Sequence, residues 1–272
     1  MRKFLQIFVM LICCLYNSAH AEKRLQVSVS IPPLYFFVQE IAKSKADIVI
    51  IVPQNKNPET YEPTFKDMQA LANSDIFIGI GMPFEKIWLP KILQANKQQH
   101  TLDTILLHEI LEKTDQMHLW LSIENAVEIT NIITIALASK DPQNAHFYSE
   151  NAKELYRKLD TLQQKIKAYV QQMPRKDFII YHPLFDEASI EYGLKEYALE
   201  QHGKTYGMKE ILFLADFGKK AGIKKVFAEH DNKDITTLAK TMQAEVVLIN
   251  PMSVDYIANL ESIFKEISKS YE

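Results

Sequence analysis

Six short runs of apolar, largely β-branched residues punctuate the chain, at Leu25–Ile31, Ile48–Val52, Ile76–Ile80, Phe178–Tyr181, Val226–Ala228 and Val246–Ile249. Each is followed by sequence with helical periodicity, and runs that are hydrophobic on both faces suit strands buried in a parallel sheet. The alternation predicts an α/β fold of two lobes with parallel-rich central sheets. Between the two groups of strands the pattern changes. Asp141 is a good N-cap, Pro142 suits a first helical position, and helix formers then continue to Gln172, just before Met173-Pro174. Residues 142–172 would form one rigid helix of roughly 45 Å at about 1.5 Å per residue. Apolar residues at Ala152, Leu155, Leu159, Leu162, Ile166 and Tyr169 recur at three-or-four spacing and define its buried face. A coiled-coil arm would share that spacing, but strand-rich sequence on both sides favours a connector packed across two lobes. The expected organisation is an N-terminal lobe over 22–141, the linking helix over 142–172 and a C-terminal lobe over 173–272.

Residues 1–21 read as a secretory signal peptide. Arg2 and Lys3 form its basic start, Phe4 to Leu15 its apolar run, and Ala19-His20-Ala21 its small-residue ending. The mature chain is expected to begin near Glu22, in the periplasm. Neither Cys13, preceded by Ile12, nor Cys14 has the small neighbour that a lipid anchor requires. Both cysteines of the chain lie in this segment, so the mature protein is expected to have neither disulfides nor thiolate metal ligands. No later apolar stretch approaches the roughly 20 residues of a membrane span. Removing Arg2 and Lys3 takes the net charge from -3 to -5, mildly acidic with no basic block, which argues against nucleic acid as a partner. Glycine is scarce, and neither GxGxxG nor GxxxxGK[ST] occurs, so dinucleotide and phosphate-loop functions lose their usual support.

A metal site without cysteine must use His nitrogen and Asp or Glu oxygen, a mixture that Zn(II) accepts. In open α/β sheets, ligands bind beyond the carboxyl ends of strands. His182 directly follows the Phe178–Tyr181 run, His230 comes just after Val226–Ala228, and Asn250 follows Val246–Ile249. In the first half the matching candidates are Glu59, in the loop after Ile48–Val52, and His118, whose apolar neighbours Leu119 and Trp120 would dehydrate a bound ion. A histidine beside tryptophan also serves as a packing residue. His100 and His108 sit in a polar stretch and near a short helical pattern, while His146 and His202 are expected to face solvent, so none of these four is assigned a site role.

Six motifs in order resemble those of the zinc and manganese solute-binding proteins of ABC transporters. Asn57-Pro58-Glu59-Thr60-Tyr61-Glu62-Pro63-Thr64 is similar to the family's PHxYEPxPxD loop, and Ala72-Asn73-Ser74-Asp75-Ile76 to Gly79 is similar to its ADLxxxxG strand entry. Residues 117–126, MHLWLSIENA, resemble HxWLSPENA, and residues 181–194, YHPLFDEASIEYGL, resemble YHPAFGYFAxxYGL. VFAEHDN at 226–232 and VVLINPM at 246–252 resemble VFxEPQ and VxxLDPL. The resemblance spans nearly the whole mature chain. It implies two α/β lobes bridged by one long helix, with a divalent metal held in the cleft between them and handed to an ABC membrane permease by a monomeric binding protein. It also implies that closure is a small tilt or loop rearrangement rather than a wide hinge swing.

Carried over by position, the family's ligands fall on Glu59, His118, His182 and Asn250. Histidine at 118 and 182 fits the zinc-type pattern. Glu59 stands where the family usually has His, and Asn250 where it has Asp or Glu, so one negative charge is kept but relocated. Because an amide is a weak zinc ligand, His230, which replaces the family's proline, is expected to supply the missing imidazole. Asp186 and Glu187 replace small and aromatic family residues and read as a solvated loop pair. The histidine-rich insertion of many zinc-type members is missing, since residues 85–116 contain only His100 and His108. Zinc is the expected cargo, with manganese or nickel as alternatives. Binding through neutral imidazoles predicts that affinity falls below about pH 6 to 6.5. A metal-dependent hydrolase is the enzymatic rival, but HExxH and GxSxG are both missing. A surface adhesin is the third class.

Overall fold

The computed structural model describes residues 24–96, 102–113, 118–201, 204–205 and 207–272. The expected signal peptide at 1–21, with Cys13 and Cys14, the mature start near Glu22, and both His100 and His202 lie outside the described residues. The first sheet is built from β1 (Leu25–Val29), β2 (Ala46–Ile50), β3 (Ile76–Gly79) and β4 (Asp103–Leu106). Its order is β2-β1-β3-β4, and every pairing is parallel. Strands β5 (Asp177–Ile180), β6 (Lys195–Ala198), β9 (Lys225–Ala228) and β10 (Glu245–Leu248) form the second, in the order β10-β9-β5-β6 and again all parallel. Between them in sequence, β7 (Glu200–Gln201) and β8 (Lys204–Thr205) make a small antiparallel hairpin.

The helices are α1 (Pro32–Ala42), α2 (Phe65–Ala72), α3 (Pro83–Asn96), the single turn α4 (Leu107–Ile110), α5 (Ile123–Lys140), α6 (Ala145–Gln172), α7 (Asp186–Tyr192), α8 (Met208–Ala221), α9 (Lys233–Met242) and α10 (Tyr256–Ser268). Each sheet reverses its winding once, between β1 and β3 and between β5 and β9. Such reversals open a crevice at the carboxyl ends of the strands. Among the described residues, no helix is long and apolar enough to cross a membrane.

The six apolar runs all become strands. In the two four-stranded sheets, the strands the sequence did not suggest are β4 and β6, which read Asp-Thr-Ile-Leu and Lys-Glu-Tyr-Ala and lie at sheet edges, mostly half-buried; the short hairpin strands β7 and β8 were likewise not suggested. Four residues of mixed polarity carry too little periodicity to be told from a loop. The long helix proper is α6, 28 residues after a single 3-10 turn at Pro142–Asn144. Its buried face is Tyr148, Ala152, Leu155, Leu159, Leu162, Ile166 and Val170. Val170 therefore takes the place expected for Tyr169, whose hydroxyl instead donates to Glu261 Oε1 at 3.0 Å on the helix margin. A phenol needs a polar partner at its tip, whereas valine is free to turn inward.

This face packs on α5 and α1 of the first lobe and on α10 of the second. One continuous apolar core results. It includes Val27 and Phe37 of the first lobe, Leu155 and Leu159 of α6, and Phe178, Phe185, Tyr256 and Phe264 of the second. Rings of Phe37 and Tyr256 meet across the lobe boundary with centroids 4.9 Å apart. A smaller core, including Ile211, Ile235 and Met242, lies under α8 and α9.

Candidate metal centre

The segments after β2, β4, β5, β6, β9 and β10 open onto one cleft of about 470 Å³, counting the part open to solvent. Glu59, His118, His182, Glu200, Glu229 and His230 face into it.

Glu59 stands on a loop tied down at both ends. Its own N–H donates to Asn57 Oδ1 at 2.8 Å. Farther along, Thr64 and Asp67 form a reciprocal cap at the start of α2: the Thr64 N–H donates to Asp67 Oδ2 at 2.7 Å, and the Asp67 N–H to Thr64 Oγ1 at 3.3 Å. The Tyr61 hydroxyl donates to the same Asp67 oxygen at 2.8 Å. Burial, helped by that carboxylate, pushes Tyr61 up to about 12, so it stays a donor.

His118 precedes the buried turn Leu119–Leu121. Trp120 anchors that turn across the lobe boundary. Its Nε1 donates to the Pro251 carbonyl at 2.9 Å, and its carbonyl accepts from the Tyr256 hydroxyl at 2.5 Å. The sequence offers two roles for His118, packing against tryptophan or facing a cation; the ring packs beside Trp120 and also lines the cleft. Its ring stands 5.6 Å from that of Trp120 and 5.3 Å from that of His182, edge-on to each.

His182 leaves the end of β5 and is held at both nitrogens. Nε2 lies 3.1 Å from Glu59 Oε1, and Nδ1 lies 3.3 Å from Glu200 Oε1. The loop that follows is fixed by the half-buried Glu196 carboxyl, which accepts from Leu184 N at 2.9 Å and from Phe185 N at 3.1 Å. Burial raises Glu196 to about 7 against the lowering effect of those bonds.

His118 Nε2 lies 3.7 Å from the same Glu59 oxygen. One ligand atom from each of Glu59, His118 and His182 lies within 4.8 Å of the others. Donors on a tetrahedral zinc, each about 2.0–2.2 Å from the ion, are about 3.4 Å from one another, so the two distances to Glu59 bracket what such a shell requires. The electrostatics are polarised. Burial, reinforced by the neighbouring His182, lowers His118 to about 4. Burial also works against a charge on His182, but the Glu59 carboxylate, with Glu229 and Glu200 nearby, outweighs it and lifts the imidazole to about 9. Glu59 is lowered mainly by its hydrogen bond with His182. Protein closing around Glu229 raises its pKa although part of its surface stays open to the cleft.

The two remaining expected ligands fare differently. Asn250 is exposed and does not reach the cleft. Its Oδ1 accepts from Met252 N at 2.9 Å, and its carbonyl accepts from Asn259 Nδ2 at 2.7 Å. An asparagine side chain bonding its own backbone two residues on is a turn-forming habit, and it occupies the amide outside the cleft. His230 lies in the cleft wall, its ring centroid 6.1 Å from that of Tyr181, but outside the convergent trio. Glu200 and Glu229 were missed. Glu229 directly follows β9, the kind of position that singles out His182, while Glu200 comes two residues after β6, at the start of the hairpin; β6 carries no strand signal in the sequence, and His230 competes with Glu229 for the same place. Glu187, expected as half of a solvated pair, instead bonds Lys113 and accepts from Asn125 Nδ2 at 3.4 Å, both in the other lobe. His146 is exposed as expected, whereas His108 is buried against Gly81.

Both the sequence and the fold match known proteins. The model of a family described as zinc-uptake complex component A, periplasmic, matches residues 27–270. The high-affinity zinc uptake system protein ZnuA of Bacillus subtilis (strain 168) is 23% identical over 253 residues, covering 84% of this chain and 79% of its own length. The manganese ABC transporter substrate-binding lipoprotein PsaA of Streptococcus mitis is 27% identical over 210 residues, covering 72% of this chain and 67% of its own. A crystal structure of ZnuA superposes with a TM-score of 0.85 at 27% identity, over 92% of this chain and 100% of the other.

Proposed function

The chain belongs to the family of zinc-uptake complex component A, periplasmic, and from that membership we propose that it captures one zinc ion between its lobes and delivers it to the permease of an ABC transporter. Its relatives are extracytoplasmic metal-binding proteins of such transporters rather than enzymes. The observation that carries the reading is the convergence of Glu59, His118 and His182, drawn from both lobes, on one point. Two imidazoles and a carboxylate make a three-ligand core with a net charge of about +1 once zinc is bound, and its fourth position is left for water or the His230 imidazole. Glu200 acts behind the core: by accepting from His182 Nδ1 it directs Nε2 toward the ion. The leader-like residues 1–21 support action in the periplasm.

Delivery requires release. The shared core and the unbroken α6 oppose a wide opening of the lobes, so release proceeds through the ligand loops when the permease engages them. Manganese is the second reading, favoured by the carboxylates of Glu200 and Glu229 beside Glu59, because oxygen donors suit that ion.

Competition titration of metal-free protein with a chromogenic chelator tests the proposal. Wild-type protein is expected to take up one equivalent of zinc and to prefer it to manganese. His118→Ala and His182→Ala are each expected to lose more than about 100-fold in affinity, a larger loss than ligand-orienting groups usually cause. His230→Ala is expected to lose less than either. Zinc uptake that survives both trio substitutions would sink the assignment.

A further inference from the structure

The helix that follows His182 carries two carboxylates into the opposite lobe. Glu191, near the end of α7, sets its Oε2 2.8 Å from the Ser122 hydroxyl, 3.0 Å from Ile123 N and 3.4 Å from Glu124 N. Its other oxygen accepts from Gln163 Nε2, on α6, at 3.0 Å. One turn earlier on the same helix, Glu187 bonds Lys113 and Asn125 of the first lobe. A seven-residue helix thus grips the start of α5 and the connector together.

The first N–H groups of a helix have no partner within it and carry the positive end of its dipole. Ser122 serves one of them, accepting from Asn125 N at 3.3 Å. The groups of Ile123 and Glu124 are met by a carboxylate from the other half of the molecule. Charge-assisted bonds to helix N-termini are among the stronger polar contacts available at a partly buried boundary. Their position matters as much as their strength: Ser122 lies four residues after His118, and Glu191 nine residues after His182. The bridge therefore connects the two segments that present the imidazoles without itself lining the cleft.

We propose that Glu191 is a positioning residue for metal capture: its bridge from α7 to the start of α5 sets the separation of His118 and His182, and with it the affinity of the cleft for zinc. This rests on the metal-binding reading above. Lobes that share a core cannot swing far, so a shift of a few tenths of an ångström between the two ligand segments is the adjustment open to them. Without the bridge that shift is free, and the trio spends less of its time at metal-binding distances.

The test compares wild type with Glu191→Ala, Glu191→Gln, Ser122→Ala and the double variant Ser122→Ala/Glu191→Ala. Metal-free proteins are titrated with zinc against a chromogenic chelator, zinc release is followed by stopped flow, and metal-free melts are recorded in parallel. Glu191→Ala is expected to bind zinc about tenfold more weakly, chiefly through faster release, which corresponds to about 1.4 kcal/mol. Glu191→Gln keeps an acceptor oxygen and is expected to recover most of the affinity. The double variant should lose less than the sum of the two single losses, since both act on one bridge. A Glu191→Ala protein with a lower melting point but zinc affinity within about twofold of wild type would overturn the proposal, leaving Glu191 a stabilising cap alone. If Glu191→Ala does not fold, Glu191→Asp, one methylene too short to span the gap, decides: weakened zinc binding supports the bridge and unchanged binding refutes it. Wild-type protein that takes up no zinc would remove the metal reading and the bridge together, whereas normal wild-type uptake with unaffected variants would remove only the bridge.

Discussion

At the scale of single residues, His182 decides how the cleft responds to pH. With its pKa lifted to about 9, the imidazole carries a proton at neutral pH, and a metal ion must displace that proton to bind. His118, lowered to about 4, is already neutral and does not compete. Zinc binding at pH 7 is therefore expected to release about one proton, and affinity to rise about tenfold per pH unit from pH 5 to 8 before levelling near 9. The sequence suggested a loss of affinity only below about pH 6.5, the range of an unperturbed histidine. Titrations in buffers of different ionisation enthalpy check the proton count, and a flat profile above pH 6 would contradict it. The same shift fixes a sign for the metal-free protein. Because the folded pKa is raised, the stability that the His182–Glu59 pair contributes is fully present below about pH 6.5 and is lost as pH rises through about 9. A second residue prediction concerns Gly81. Its φ of 102° is strained for other residues, and a Cβ there would stand 2.7 Å from His108 Cγ, a ring that is itself buried. Gly81→Ala is expected to cost more than about 1 kcal/mol in urea melts, since strain and overlap act together.

At the scale of elements, local signals were reliable where a residue's chemistry is satisfied nearby. Asp141-Pro142 marked the turn that leads into α6, and the spacing of Ala152 to Ile166 named its buried face. That spacing allowed either residue 169 or 170 as the next contact, and only the position of Glu261 decided it. Strands β4 and β6 are not legible in the sequence because four residues of mixed polarity cannot be told from a loop, whereas the equally peripheral β2 and β10 are marked by apolar runs. Glu187 reads from the sequence as half of a solvated loop pair with Asp186, and Glu191 carries no signal of its own, since nothing near them in sequence reveals that α5 starts alongside. The cap at α2 shows the local case: Thr64→Ala removes the side-chain half of the reciprocal bond and is expected to cost about 1 kcal/mol of thermal stability. Because the same cap steadies the loop bearing Glu59, zinc affinity is expected to fall with it.

At the scale of the whole molecule, the two sheets are separate but the core beneath them is not. Phe37, Leu159, Phe178 and Phe264 belong to one apolar cluster that runs through α6. The metal-free protein is therefore expected to unfold in a single calorimetric transition, with no stage in which one lobe melts alone. Saturation with zinc at about 100 times its dissociation constant is expected to add about 2.7 kcal/mol to that transition, and a chelator to remove the gain. Two separate transitions, or a melting point indifferent to metal, would contradict these expectations.

Residue type and short-range period belong to the chain itself, and from them followed the parallel α/β lobes, the long connector and the candidacy of His118, His182 and Glu59. Whether those side chains meet depends on how residues more than a hundred positions apart are registered, which no local pattern encodes. Packing of α6 and α10 across the boundary set that registry. It gathered the trio, left Asn250 bonded to its own turn, put Glu200 behind His182 and brought Glu191 to the start of α5. A polar side chain takes the best partner within reach, and only the folded chain determines which partners those are.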